Sequence, residues 1–368
     1  MKKIWLKMLL FCVTTLVLVF TSAADYLNQR KIEPIVPAEG VKKLMLSEYF
    51  PKLKGTAGDT EVFIIEGKEP GGTALVVGGT HPNEPAGYLA CVLLVESCQV
   101  KQGKLIVIPR ANMSAFSHTQ PLEGTPKAVH FKTRNGNIRY LRVGSRLTNP
   151  VHQWPDANLY VNSGQVLSGS EQRNLNRTYP GSPNGTLTEQ VAYAIMCLIQ
   201  KEKPSISIDL HEASPEYTTV NALVAHERAI DVAVETSLMM ELEGIQISVE
   251  QSPKNFSGLS HREWGDHSET LALLAETANP SQGRLRGRTD EELVLTGKDK
   301  FYIKASSAGR LRVPYDEEGL PLEKRVGRHL VTLKTLLEVY SQYGEPIEVD
   351  VPSFSELMEK GIGYFLNE

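Results

Sequence analysis

Residues 73–98 read TALVV, then GGTHPNE, then PAGYLACVLLVESC. Thr73 to Val77 is a short run of apolar and β-branched residues, the composition of a strand. Gly78 and Gly79 let the chain turn tightly as it leaves that strand. Pro85 stands near the first turn of a helix that the apolar residues carry to Cys98. Strand, glycine turn and helix in succession make a βα unit. The same alternation continues outward. Glu61 to Glu66 (EVFIIE) and Lys104 to Ile108 (KLIVI) read as strands, and Glu189 to Gln200 as a helix. Ser205 to Leu210 (SISIDL) is a strand, Ala229 to Glu243 a helix, Leu271 to Ala275 (LALLA) a strand, and Val326 to Tyr343 a long amphipathic helix. Continuous apolar strands alternating with helices predict an α/β fold, a mostly parallel sheet flanked by helices on both faces.

Two stretches depart from the pattern. Residues 25–58 are mixed and read as a leader into the core. Residues 111–188 are rich in Asn, Gly, Pro, Ser, Arg and His, with little periodicity, and read as a loop-rich insertion; so long an excursion is usually functional or folded in ways periodicity misses. Nothing marks a linker, so residues 25–368 are expected to form one domain.

The N-terminus is of another kind. Three lysines precede Met8, Met8 to Phe20 is apolar, and Thr21-Ser22-Ala23-Ala24 supplies small residues before Asp25. This is the form of a secretory signal peptide over residues 1–24. The apolar run is short of the ~20 residues of a comfortable bilayer span, so no lasting membrane insertion is expected once it is removed, although an uncleaved anchor is the other reading. The remainder belongs outside the cytosol, periplasmic or secreted. Cys91, Cys98 and Cys197 remain; the first two lie seven apart in a helix, about 10 Å, too far for a disulfide. Of 368 residues, 39 are Lys or Arg and 43 Asp or Glu, a net charge of −4, with no basic block; nucleic acid is not an expected partner.

The chemistry collects beside the strands. His81 and Glu84 follow the strand 73–77, His211 follows 205–210, and Glu276 follows 271–275. In open α/β sheets ligands bind outside the carboxyl ends of the strands, so these clusters are expected to converge. Two imidazoles and one carboxylate leave a fourth position open on a metal, the arrangement of a catalytic zinc. Asp209 or Glu212 can orient a ligand ring from behind. Glu276 ends an apolar strand, where desolvation favours the raised pKa a general base needs. Asn176 and Arg177, in a loop fixed by Tyr179-Pro180-Gly181, suit a substrate carboxylate. Among the other histidines, His152, His261 and His267 fall in loop-like segments that can line the cleft. The chain has no G-x-S-x-G, H-E-x-x-H or Walker A motif, and no G-x-G-x-x-G after a strand, which sets aside serine hydrolases and nucleotide enzymes.

In order, Gly-Gly-Thr-His81-Pro-Asn-Glu84, Asn174-Leu-Asn176-Arg177-Thr-Tyr-Pro-Gly, Asp-Leu-His211-Glu-Ala and Glu276 resemble the zinc carboxypeptidase superfamily, and within it the succinylglutamate desuccinylase/aspartoacylase family. The resemblance covers roughly residues 60–280. It implies a mostly parallel mixed sheet, one zinc per chain on His81, Glu84 and His211, Glu276 as general base, and Asn176 and Arg177 on a substrate carboxylate. The chain departs from the family pattern at Asn174, where the family has Asp. The family's further arginine, which polarises the scissile carbonyl, falls to Arg173, Arg146 or Arg142.

The expected activity is therefore zinc-dependent hydrolysis of an amide beside a free carboxylate. Deacylation of N-acyl amino acids follows the family likeness; carboxypeptidase action on peptides, including cell-wall peptides, follows the exported address. A zinc- or ligand-binding module without turnover is the non-enzymatic alternative.

Overall fold

A computed structural model describes residues 2–28, 31–119, 126–162 and 164–368. Residues 120–125 and 163 of the expected insertion, and Met1 of the expected signal, lie outside the described residues. The strands are β1 Lys42–Met45, β2 Glu61–Glu66, β3 Glu69–Val77, β4 Gln99–Ile108, β5 Ala128–Lys132, β6 Ile138–Arg142, β7 Leu159–Asn162, β8 Gln165–Ser168, β9 Ile206–Ala213, β10 Ala222–Ala225, β11 Ser248–Gln251, β12 Leu271–Ala278 and β13 Glu348–Asp350. The helices are α1 Lys2–Asn28, α2 Pro85–Ser97, α3 Leu187–Glu202, α4 Ile230–Leu242, α5 Ser260–Asp266, α6 Glu291–Thr296, α7 Lys300–Ser307, α8 Leu322–Tyr340 and α9 Phe354–Lys360.

The main sheet runs β1-β2-β4-β3-β9-β12-β10-β11, with β13 also on β4. Its centre, β4-β3-β9-β12, is parallel. The margins turn antiparallel at β2 against β4 and at β10 against β12. This is the mixed, mostly parallel α/β sheet the apolar runs predicted.

Alternate residues face opposite layers. Phe63, Val76, Leu105, Ile208, Leu223, Leu273 and Ala275 pack with α2, α4 and α8. Val62, Leu75, Ile106, Val77 and Ala272 pack with α3 and with Trp264 of α5. Helix α2 is apolar on every side because it is sandwiched: Leu89, Leu93 and Leu94 are fully buried, each contributing about 1.5–3 kcal/mol relative to exposure. Gly87 permits this closeness, since a Cβ there would collide with the Leu210 carbonyl of β9.

The structure corrects two expectations. The stretch 111–188 is not irregular throughout. β5 and β6 form one hairpin and β7 and β8 another. The first carries Val129, Phe131 and Leu141 into the core around α2. Second, β9 and β12 continue through Ala213 and Ala278. His211 and Glu276 thus lie on strands rather than after them. The N-terminal residues form one helix, α1. With no Gly or Pro before Pro34 to break it, it runs through the small residues to Asn28. By length and composition it can cross a membrane.

Candidate active site

The turn between β3 and α2 sets the first two groups. Gly79 has φ of +65°, a conformation only glycine adopts freely. The turn closes with Glu84 N donating to the His81 carbonyl, 2.9 Å. Glu84 then occupies the residue before Pro85, at the helix start, without capping the helix itself. His211 comes from β9 and Glu276 from β12, paired in register across the two parallel strands.

These residues meet around one carboxylate. Glu84 Oε1 lies 3.0 Å from His81 Nδ1, and Oε2 lies 3.0 Å from His211 Nδ1. All three side chains are buried, and one atom from each lies within 4.8 Å of the others. Two imidazoles and one carboxylate are the donor types of a catalytic zinc, and their atoms lie close enough together to share one metal ion.

Each ring is held from behind. His81 Nε2 is 2.8 Å from Asn174 Oδ1. The same oxygen accepts from Asn176 N at 3.1 Å, while Asn174 Nδ2 donates to Glu171 at 2.7 Å. A backbone donor on one side and a carboxylate on the other fix the orientation of the amide. His211 Nε2 lies 2.9 Å from Asp209 Oδ2, an ion pair rather than an aligned hydrogen bond, and Thr80 Oγ1 donates to Asp209 at 2.9 Å. His81 Nε2 is thus hydrogen-bonded and His211 Nε2 ion-paired, and both Nδ1 atoms face Glu84, the kind of support metal-binding imidazoles use.

The electrostatics favour a cation at this point. Burial would push the Glu84 carboxyl up, but His81 and His211 hold it well below the usual range. Burial would push His211 down, yet Asp209 and Glu84 outweigh it and hold its pKa well above that of an ordinary imidazole. His81, buried and next to Arg146, is pushed down to about 4. Glu276 is the counterpoint: burial pushes it up to about 8 against the pull of His211, and its Oε2 has no hydrogen-bond partner.

The arginines sort themselves by position. Arg146 Nη1 donates to Glu84 Oε1 at 2.8 Å and lies 3.2 Å from His81 Nδ1, so among the three candidates it is the one the structure brings to the site. Arg173 is held elsewhere: its guanidinium grips Asp156 at 2.6 and 2.9 Å and the Thr148 carbonyl at 2.7 Å. Arg142 reaches the Asn28 carbonyl. Asn176 and Arg177 do line the pocket. Asn176 Oδ1 accepts from Ser260 N at 2.8 Å, which fixes the loop against α5. Glu212 does not back a ring; it accepts from Ala86 N at 2.8 Å and from Arg325 at 2.7 Å, tying α2 to α8. His261 lines the pocket, whereas His152 pairs with Ser114 and His267 with Glu263.

The cavity measures about 540 Å³ and extends past Glu276 to Tyr217, Glu250 and Phe256. Asn174 was visible in the sequence only as a departure from a family pattern. Glu250 carried no signal at all.

The fold is a mixed, mostly parallel α/β sheet with a buried His-Glu-His cluster beside its central parallel strands. The family model described as the succinylglutamate desuccinylase/aspartoacylase catalytic domain matches residues 70–277, more than half of the chain, and the chain belongs to that family. Comparison with curated protein sequences gave no match. Among solved structures, a succinylglutamate desuccinylase from a Silicibacter species is 17% identical, with a TM-score of 0.43 over 69% of this chain and 65% of that one. A metallo-carboxypeptidase from Burkholderia cenocepacia is 11% identical, with a TM-score of 0.47 over 88% and 69%. The tripeptide-bound cell shape determinant Csd4 from Helicobacter pylori is 14% identical, with a TM-score of 0.47 over 82% and 59%. The chain spans 51% of the length of a succinylglutamate desuccinylase/aspartoacylase from Rhodobacter sphaeroides and 65% of the Silicibacter protein.

Proposed function

We propose that residues 25–368 form one catalytic domain that hydrolyses an amide bond beside a free carboxylate, with N-acyl amino acids as substrates and zinc as cofactor. The observation that carries this reading is the Glu84 carboxylate set between two Nδ1 atoms, next to a half-buried Glu276 whose Oε2 is buried and unpartnered. His81, Glu84 and His211 would hold the ion, which supplies Lewis-acid activation of water and of the amide carbonyl when bound.

The chain's own residues do the rest. Glu276, protonatable near neutral pH, takes the proton of the attacking water and returns it to the departing amine nitrogen. Arg146, already among the ligand atoms, donates to the oxygen that becomes negative as the carbonyl carbon turns tetrahedral. Asn176 and Arg177 hold the substrate carboxylate, which fixes the scissile bond in register.

One observation supports the second reading, a carboxypeptidase acting on exported or cell-wall peptides. Helix α1 is apolar and exposed along its length, which suits a signal or an anchor that places the domain beyond the cytosol.

The test is amine release by the zinc-loaded protein from N-acetyl and N-succinyl amino acids and from short peptides, each with free and amidated C-termini. Release from acyl amino acids with free carboxylates supports the deacylase. Release only from peptides with free C-termini selects the carboxypeptidase. Release from neither group overturns the hydrolase reading.

A further inference from the structure

We propose that the far end of this pocket recognises a cation through Glu250, so that the residue released from the amide carries a long aliphatic side chain ending in an amine. This rests on the hydrolase reading above and adds the class of substrate.

The argument comes from the register of the sheet. Leu274 on β12 pairs with Val224 on β10, which pairs with Glu250 on β11. In-register neighbours share a face, and Leu273 and Leu223 belong to the opposite layer. Leu274, Val224 and Glu250 therefore form one row, one step along from the Glu276–Ala222 pair. All three line the cavity, together with Pro253 and Phe256. Neighbouring strands are about 4.8 Å apart, so Glu250 sits roughly 10 Å across the sheet from Leu274. Between the reacting groups and Glu250 the floor is apolar.

Charge runs the same way. Arg146 donates to Glu84, and Arg177 lies within the field of both, at the reacting end. Glu250 stands at the other, oriented by Thr219 Oγ1 at 2.8 Å, a neutral donor. Among the described residues no Lys, Arg or His forms an ion pair with Glu250. A carboxylate at the end of an apolar trough, steered but not neutralised, complements an ammonium on a flexible hydrocarbon stem. A short or acidic side chain would leave the trough empty or meet repulsion at its end.

The experiment is calorimetric titration of the zinc-loaded full chain with free L-lysine, L-leucine and L-glutamate, repeated on Glu250→Gln and Thr219→Val. We expect lysine to bind about tenfold or more tighter than leucine, and glutamate to bind weakest, the size of a charge-assisted hydrogen bond. In Glu250→Gln the lysine-to-leucine ratio should fall to near one, with Thr219→Val intermediate. No lysine preference in the wild type, or a preference that survives Glu250→Gln, overturns the proposal. The two readings fail separately. Lysine selectivity lost in Glu250→Gln without amine release from any amide sinks the hydrolase and keeps the cation site. Equal release from N-acyl-leucine and N-acyl-lysine sinks the cation site and keeps the hydrolase.

Discussion

Asn174 Oδ1 stands 2.8 Å from Nε2 of His81, so a neutral amide occupies the place behind one ring that Asp209 occupies behind the other. The two imidazoles are therefore unequally supported. Truncating the amide frees the His81 ring to rotate and leaves its outer nitrogen unpaired, so Asn174→Ala should weaken zinc binding about 10–100-fold. Competition against a chromogenic chelator measures this directly. Asn174→Asp should not restore a stronger site by itself, because the new carboxylate would face Glu171, now 2.7 Å from Nδ2; it should do so only alongside Glu171→Gln. An unchanged zinc affinity in Asn174→Ala would remove the orienting role.

Glu276→Gln keeps the size and removes the titrating group. The ligand set is untouched, so zinc content should match the wild type while turnover falls about 10²–10⁴-fold. Metal analysis and amine release on one preparation check both halves. Zinc retained with full turnover would show that another group moves the proton.

The His-Glu-His cluster that the structure brings together was legible because its residue types are unusual beside apolar strands. His81 and Glu84 lie in the turn that follows one apolar run, and His211 and Glu276 interrupt two others. The ends of those strands were not legible, because functional polar residues continue the pleat through Ala213 and Ala278 without the apolar signature that marks a strand. The hairpins within 111–188 failed for a related reason. Strands of four or five residues with at most two buried positions, such as Val129 and Phe131, give too short an alternation to stand out. The arginines could not be sorted by spacing. Arg146 reaches Glu84 across 62 residues of chain, while Arg173, next to the Asn-Leu-Asn-Arg block, is taken by Asp156.

That sorting is itself testable. Arg146→Ala should lower kcat about 10²–10³-fold, the effect of losing an oxyanion donor, with folding intact. Arg173→Ala should do the reverse. It leaves Asp156 without its two hydrogen bonds and should cost about 2–3 kcal/mol of stability, read as a lower denaturation midpoint, with kcat little changed. A kinetic defect in Arg173→Ala at full stability would return that arginine to the active site.

Acid sensitivity should have an identifiable source in His329. Burial in α8 pushes its pKa down to about 3, whereas an unfolded histidine titrates near 6.5. Below pH 6.5 the unfolded chain binds a proton that the folded chain refuses, so stability falls as pH drops from about 6.5 toward about 3. At pH 5 this one group should account for about 2 kcal/mol. Urea unfolding of wild type and His329→Leu at pH 7.5 and 5.0 isolates it, since the variant should lose less on acidification. Equal losses would assign the sensitivity to the other buried histidines.

Arg177 closes the argument about the substrate carboxylate. Burial and the nearby Arg146 lower its pKa, and Glu171 opposes them from 3.9 Å, too far to neutralise it fully. Two guanidinium groups lining one cavity repel each other, and an anion between them turns that repulsion into attraction on both sides. Arg177→Gln should therefore raise KM for substrates with a free carboxylate about tenfold or more, the loss of one charge-assisted contact. It should barely alter their amidated counterparts, so the wild-type preference for the free acid should collapse. Because Arg177 is placed to hold rather than to react, kcat at saturation should fall much less than in Arg146→Ala. If Arg177→Gln keeps the full preference for free carboxylates, the anion is bound elsewhere in the pocket, and Arg146 becomes the group to vary next.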